Sequence, residues 1–254
     1  MRRILTLLVA LLLIGGMVQA QQLYAFYYSR SPGRDVEINL LNTTSEPTQY
    51  QVHAYDVWGN QIWEATGDLA AKDATFYLLS EQIAEDAANW GVLTVTSAER
   101  LVIAPEYFVN GQAVAFDIIN RAVSGTTAGS AYQLVLYHTE VAESNVGLIV
   151  MNPWDQEVSG RLVIYRSDGS PLGQAELKLT AYEAKFFNIA QLVGQGSRNW
   201  GVVEVVVNQR PVVAASTRLM GGGIQIKNVT EAWTVEEVSP TGTPGVVTPP
   251  KKED

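Results

Sequence analysis

The chain has no cysteine and only two histidines, His53 and His138, among its 254 residues. The first absence excludes a disulfide framework, a thiolate nucleophile, a zinc–sulfur site and a lipid-modified cysteine. The second leaves no His/Cys set spaced like a metal centre. The two histidines lie in separate strand-like runs, each as a strand residue rather than a positioned general base. Charge is scarce too: 17% of residues are charged, the formal net charge is −9, and the basic residues are scattered. An acidic chain without a basic patch is not a nucleic-acid binder, because phosphates are repelled.

Catalytic signatures are also missing. No Gly-x-Ser-x-Gly elbow is present, and Gly194-Gln195-Gly196-Ser197 lacks the Lys-Ser/Thr of a phosphate loop. The carboxylates Asp35, Asp56, Glu143, Asp155 and Glu157 read as solvated loop and strand-face charge rather than a glycosidase pair. Trp154-Asp155-Gln156-Glu157 offers oxygen ligands but not the spacing of a calcium loop. Asn42-Thr43-Thr44 and Asn228-Val229-Thr230 match the short glycosylation sequon. The expectation is a protein without catalytic residues, metal or cofactor.

What is present begins with an apolar leader. Arg2-Arg3, the run Ile4–Ile14 and Val18-Gln19-Ala20 form a secretory signal over residues 1–20, with cleavage before Gln21. The run is marginal for a membrane span, and Gly15-Gly16 weaken it further. Loss of Arg2 and Arg3 takes the charge from −9 to −9 − 2 = −11. The expected location is secreted, periplasmic or cell-envelope.

The rest of the chain is written twice. Asn89-Trp90-Gly91 returns as Asn199-Trp200-Gly201, an offset of 200 − 90 = 110 that aligns most of the chain without a gap. Tyr55/Tyr165, Gly59/Gly169, Asn42/Asn152 and Arg100/Arg210 recur at the same offset. The boundaries that follow are a first repeat at 21–123, a linker at 124–131, a second repeat at 132–235, and a disordered Pro/Thr/Gly tail at 236–254. Each repeat alternates apolar and polar residues in short runs, as in Val36-Glu37-Ile38-Asn39-Leu40, separated by Gly and Asn turns such as Asn110-Gly111. Each repeat has one helical-looking piece, Ser80–Ala88 with Ser80 as its cap and Gln191–Arg198, the poorer helix for its Gly194 and Gly196, and a single turn or a loop is expected. The fold class predicted is all-β, two tandem antiparallel β-sandwich domains related by the repeat. Trp90 and Trp200, next to the most apolar strands, are expected to be buried anchors, with Asn and Gly shaping the chain beside them.

Phe187-Asn188-Ile189-Ala190-Gln191-Leu192, Arg210-Pro211-Val212-Val213-Ala214-Ala215-Ser216-Thr217-Arg218 and Leu40-Leu41-Asn42-Thr43 resemble the small β-sandwich family of sensory rhodopsin transducers. That family shares a Leu-Asn-Thr start, a Phe-Asn step and a Pro-Val-Val strand ending in Thr-Arg. The resemblance implies a sandwich with a tendency to oligomerise. The family is cytoplasmic and single-domain, whereas this chain has a signal and a duplication, so no signalling role carries over.

Function is expected where the repeats differ. Trp58 and Trp63 stand against Asp168 and Gly173, and Trp154 stands against Thr44. Flat apolar faces in turns suit stacking on a sugar or insertion into a partner. The reading is therefore an exported, non-enzymatic binding module with a protein or carbohydrate surface partner, no nucleic acid and no retained membrane span. A homo-oligomer is compatible with it. A structural component of an envelope assembly is the alternative, and a hydrolase the third choice.

Overall fold

The computed structural model describes residues 21–123, 131–140, 144–196, 199–220, 223–229 and 233–235. The signal segment, most of the linker, Glu143 and the tail lie outside the described residues. Among the described residues the first half supplies β1 (Gln22–Ser29), β2 (Arg34–Asn42), β3 (Thr48–Tyr55), β4 (Gln61–Leu69), β5 (Ala74–Leu78), β6 (Trp90–Ser97), β7 (Leu101–Val109) and β8 (Gln112–Phe116). The second half supplies β9 (Ala131–Thr139), β10 (Ser144–Met151), β11 (Val158–Arg166), β12 (Pro171–Leu179), β13 (Ala184–Asn188), β14 (Trp200–Asn208), β15 (Val213–Met220), β16 (Gly223–Val229) and β17 (Trp233–Val235). One short helix, α1 (Ile189–Val193), precedes β14. The fold is all-β and antiparallel.

Four sheets form, and their strand orders repeat. The order β5-β2-β7-β8 in the first half returns as β13-β10-β15-β16, and β1-β6-β3-β4 returns as β9-β14-β11-β12, with β17 added beside β9. The offset is not constant, however. Leu41 pairs with Val102 and Met151 pairs with Val213, so 151 − 41 = 110 while 213 − 102 = 111. One extra residue in the turn before β15 makes Val212 and Ala214, rather than Pro211 and Val213, the counterparts of Leu101 and Ile103. All four counterparts are fully buried in their own cores, which is why the register shifts: a one-residue slip would turn every side chain to the other face.

Burial patterns stack the sheets in four layers. Layer 1 (β5-β2-β7-β8) alternates buried and half-buried residues along β2 and β7, as a one-sided sheet does. Layer 2 (β1-β6-β3-β4) is different: Tyr24 to Ser29 and Gly91 to Val95 are buried without a break. Layer 3 (β13-β10-β15-β16) likewise buries Val146–Met151 and Val213–Ala215 continuously. Layer 4 (β12-β11-β14-β9-β17) alternates again, with Trp200 and Val202 exposed and Gly201 and Val203 buried. The first core accordingly extends beyond its own half to Ile149, Met151, Ala184, Val213, Ala215 and Ile226 of layer 3, while a second core fills the space between layers 3 and 4. Each large apolar side chain buried at the layer 2–3 seam contributes roughly 1.5–3 kcal/mol.

The seam also has polar and aromatic fasteners. Tyr182, at φ 57° in the turn before β13, stacks on Tyr55 with ring centroids 3.9 Å apart. The Ala184 amide donates to the Val57 carbonyl at 3.2 Å. Asn228 on β16 accepts from the Tyr27 amide at 3.0 Å and donates to the Tyr107 hydroxyl at 2.7 Å. Asp117 accepts from the Asn228 amide at 2.9 Å and from Lys227 Nζ at 2.7 Å. This cluster covers the edge strand β1, while β17 covers the corresponding edge of β9.

At Ser80–Ala88 the chain makes a single 3-10 turn, Leu79–Glu81, as the sequence suggests, but Ser80 is not its cap. The Ser80 amide instead donates to Asp35 Oδ1 at 3.0 Å, tying the turn to β2. In the second half Asn188 caps α1, its side chain accepting from the Gln191 amide.

Candidate functional site

The aromatic residues singled out from the sequence separate by environment. Trp58 is 64% exposed at the tip of the β3–β4 turn. Asp56 holds that turn, its carboxylate accepting from the amides of Trp58 and Asn60 and from Asn60 Nδ2, each at 2.9 Å. With its oxygens so engaged, Asp56 is a turn staple rather than a catalytic acid. Trp63 packs edge-on against Tyr77, centroids 5.3 Å apart, on the margin of the first core. Trp154 donates through Nε1 to the Pro211 carbonyl at 2.7 Å, lies under the Arg210 guanidinium, and packs against both cores. Trp63 and Trp154 are therefore packing residues, and of the three only Trp58 offers its face to a partner.

In the landmark tripeptides the close contacts are made by the glycines and asparagines. Gly91 and Gly201 are the second residues of β6 and β14, where the chain crosses the ends of β3 and β11. A Cβ at Gly91 would lie 2.6 Å from the Tyr55 carbonyl oxygen, and one at Gly201 2.2 Å from that of Tyr165. Asn89 closes the preceding loop by donating to the Ala84 carbonyl at 2.9 Å, and Asn199 does the same to Gly194 at 3.0 Å. The tryptophans differ from the expectation of two buried anchors: Trp90 is half-buried on the first core, whereas Trp200 is 45% exposed. Trp90→Ala is expected to cost about 2–3 kcal/mol and Trp200→Ala under about 1 kcal/mol in urea unfolding. Equal losses would contradict this asymmetry.

Other candidates also resolve into structure. Asn42 and Asn152 are buried loop staples, donating to Glu46 and Gln156 carbonyls at 2.7 and 2.6 Å. Asn228 is buried as well, so neither sequon asparagine is free to be glycosylated. Glu157 pairs on the surface with Lys178, and His53 faces Glu64 across β3–β4. Among the described residues no three His, Cys, Asp or Glu side chains group as a metal site.

His138 and Glu140 form a buried titratable pair at the end of β9. His138 Nε2 meets the Tyr165 carbonyl at 2.9 Å, the position that the Tyr28 hydroxyl fills against Tyr55 in the first half. Its Nδ1 and Glu140 Oε2 have no hydrogen-bond partner. Burial lowers the His138 pKa and raises that of Glu140 to about 7, the Val146 amide only partly offsetting the latter. The unfolded Glu140 carboxyl titrates near 4.5. Between 4.5 and about 7 the folded state thus holds a proton that the unfolded state has released, and stability falls as pH rises through that window. Glu140→Gln keeps the shape without the charge. It should gain up to about 3 kcal/mol over the parent at pH 8 and little at pH 4.5. A pH-independent difference between the two urea midpoints would contradict this.

An exposed apolar surface lies on the outer face of layer 4. Val202 and Tyr137 are cross-strand partners, Tyr165 pairs with Val202 from the other side, and Val135 pairs with Glu204. Val135, Tyr137, Trp200 and Val202 are all exposed. Their counterparts at the offset of 110 are Ala25, Tyr27, Trp90 and Val92. Layer 3 covers these: Tyr137 is 54% exposed where Tyr27 is 4%, and Val202 is 37% exposed where Val92 is fully buried. Beside Val135 a cleft of about 330 Å³ opens between the halves, lined by Asp117–Arg121, Gln133 and Lys227–Val229. This surface is not legible from a comparison of the repeats, because Tyr137, Trp200 and Val202 match Tyr27, Trp90 and Val92 in kind and differ in their covering.

No family model matches the chain, and no curated protein matches it. Among solved structures, a beta-glucuronidase from glycoside hydrolase family 2 is 8% identical with a TM-score of 0.20, covering 81% of this chain and 23% of that one. A putative beta-galactosidase from Bacteroides fragilis is 11% identical with a TM-score of 0.18, covering 87% of this chain and 33% of that one. The Parabacteroides merdae beta-glucuronidase is 6% identical with a TM-score of 0.20, covering 84% and 27%. The chain spans between about a quarter and a third of these enzymes, and at such scores the likeness carries no argument. No described helix is long and apolar enough to cross a membrane.

Proposed function

We propose that this chain is an exported, non-enzymatic interaction module that binds a protein partner through the outer face of layer 4. The observation that carries the reading is the contrast between equivalent positions: Tyr27 and Val92 are covered, Tyr137 and Val202 are not. A contiguous apolar sheet face with aromatics at its centre has the composition of an interface core. Valines between the aromatics, with Glu204 the one carboxylate among them, suit a protein surface better than hydroxyl-rich sugar. The test is photocrosslinking in cells that export the chain, with the reactive residue at position 202 and a control at the exposed edge position 178. Adducts confined to position 202 support the reading; none at 202, or equal yields at both, contradict it.

A carbohydrate reading rests on Trp58, whose indole is the most exposed large apolar side chain among those described. A glycan array with the parent and Trp58→Ala tests it: a signal lost in the variant supports stacking, and no signal from the parent opposes it.

A further inference from the structure

The stack shows what kind of surface covers a face such as that of layer 4. Layer 2 is its counterpart in the first half, and layer 3 covers layer 2 with Met151, Ala184, Val213 and Ala215. Layer 1 is in turn the counterpart of layer 3. It carries Leu41, Ala74, Val102 and Ala104 at the matching strand positions, and among the described residues no further sheet packs outside them. One molecule therefore ends in both halves of a contact that it makes once internally.

We infer that the partner of layer 4 is layer 1 of a second copy of this chain, docked head to tail so as to repeat the layer 2–3 seam. This rests on the interaction reading above and names its partner. Exposed apolar side chains stand on both terminal layers, Val135, Tyr137, Trp200 and Val202 on strands of layer 4 and Phe76 and Phe116 on strands of layer 1, while Trp58, Ile118, Phe186 and Leu192 are exposed elsewhere. The turn that fastens the internal seam has its counterpart as well. Lys72 occupies the left-handed position (φ 62°) that Tyr182 holds (φ 57°), and Tyr165 corresponds to Tyr55. In the repeated contact the Lys72 ammonium lies over the Tyr165 ring, a cation–π pair in place of the Tyr55–Tyr182 stack.

Layer 1 is also more polar than layer 3. Asn39 replaces Ile149, and Glu37 and Glu106, which face each other across β2 and β7, replace Gly147 and Thr217. The contact between copies is therefore weaker than the internal one and is strengthened by salt, which screens the two carboxylates. A heterologous contact of this kind pairs two different faces, so it does not stop at a two-fold dimer and yields rings or open-ended chains.

The test is sedimentation velocity of the purified exported chain over a range of concentration and salt, with Val202→Glu on layer 4 and Leu41→Glu on layer 1. The parent should form oligomers that grow past the dimer. Each variant alone should weaken association by roughly tenfold or more. Mixed together, the two variants should form a dimer and stop, since one intact face remains on each; a misfolded variant would fail in this arm. A parent that stays monomeric overturns the inference, as does loss of association in Val202→Glu but not in Leu41→Glu, which would mean that layer 4 pairs with itself. Either result with persistent cellular adducts at position 202 leaves the interaction reading standing; absence of those adducts overturns that reading separately.

Discussion

Gly201→Ala should destabilise the protein by about 3 kcal/mol, as much as the loss of a large core side chain. The added Cβ would sit 2.2 Å from the Tyr165 carbonyl oxygen and 2.6 Å from the Arg166 carbonyl carbon. These are backbone atoms held in the β11–β14 ladder, so no side chain can swing away to make room. Gly91→Ala meets the same obstacle against Tyr55 and Asp56 at 2.6 and 2.9 Å and should cost a similar amount. Urea unfolding of both variants checks this. A loss below about 1 kcal/mol in either would mean that the strand crossing is looser than described.

The second large effect concerns Asp117. Its carboxylate, almost fully buried, accepts from the Asn228 amide, from Asn228 Nδ2 and from Lys227 Nζ. Lys227 is mostly solvent-exposed and regains water if Asp117 is removed. Asn228 does not, being buried. Asp117→Ala should therefore cost about 2–4 kcal/mol, from one or two unsatisfied buried donors rather than from the ion pair itself. Because Asn228 also binds the Tyr27 amide and the Tyr107 hydroxyl, the loss should appear as faster amide exchange along β1 and at Asn228. Exchange unchanged at Tyr27 would contradict the linkage between halves.

Much of the fold was legible in the sequence, for identifiable reasons. Alternation in Val36-Glu37-Ile38-Asn39-Leu40 belongs to a sheet buried on one side, and β2 is such a strand in layer 1. The turn residues Asn110 and Gly111 take the positive φ that their identities suggest. The layering was not legible. Leu23-Tyr24-Ala25-Phe26-Tyr27-Tyr28 and Gln133-Leu134-Val135-Leu136-Tyr137-His138 are similarly apolar, yet one is buried on both faces and the other on one. A short apolar run does not state how many of its faces find a partner; that depends on what folds above it. The same limit displaced the candidate site. Comparing the halves for differences drew attention to Trp63 and Trp154, which pack inward. The exposed surface instead consists of residues that the halves share in kind, at Tyr27/Tyr137 and Val92/Val202, where only the covering differs.

That contrast is also the most direct point at which to test the layered stack. Because the chain has no cysteine, a single introduced thiol is a unique reporter. Tyr27→Cys, Val92→Cys, Tyr137→Cys and Val202→Cys each receive a thiol-reactive probe under native conditions, in dilute solution where copies stay apart. Thiols at positions 137 and 202 should react at nearly the rate of the unfolded chain, and those at 27 and 92 only at the rate of unfolding. Equal reactivity at 92 and 202 would contradict the account, since layer 3 would then not cover layer 2.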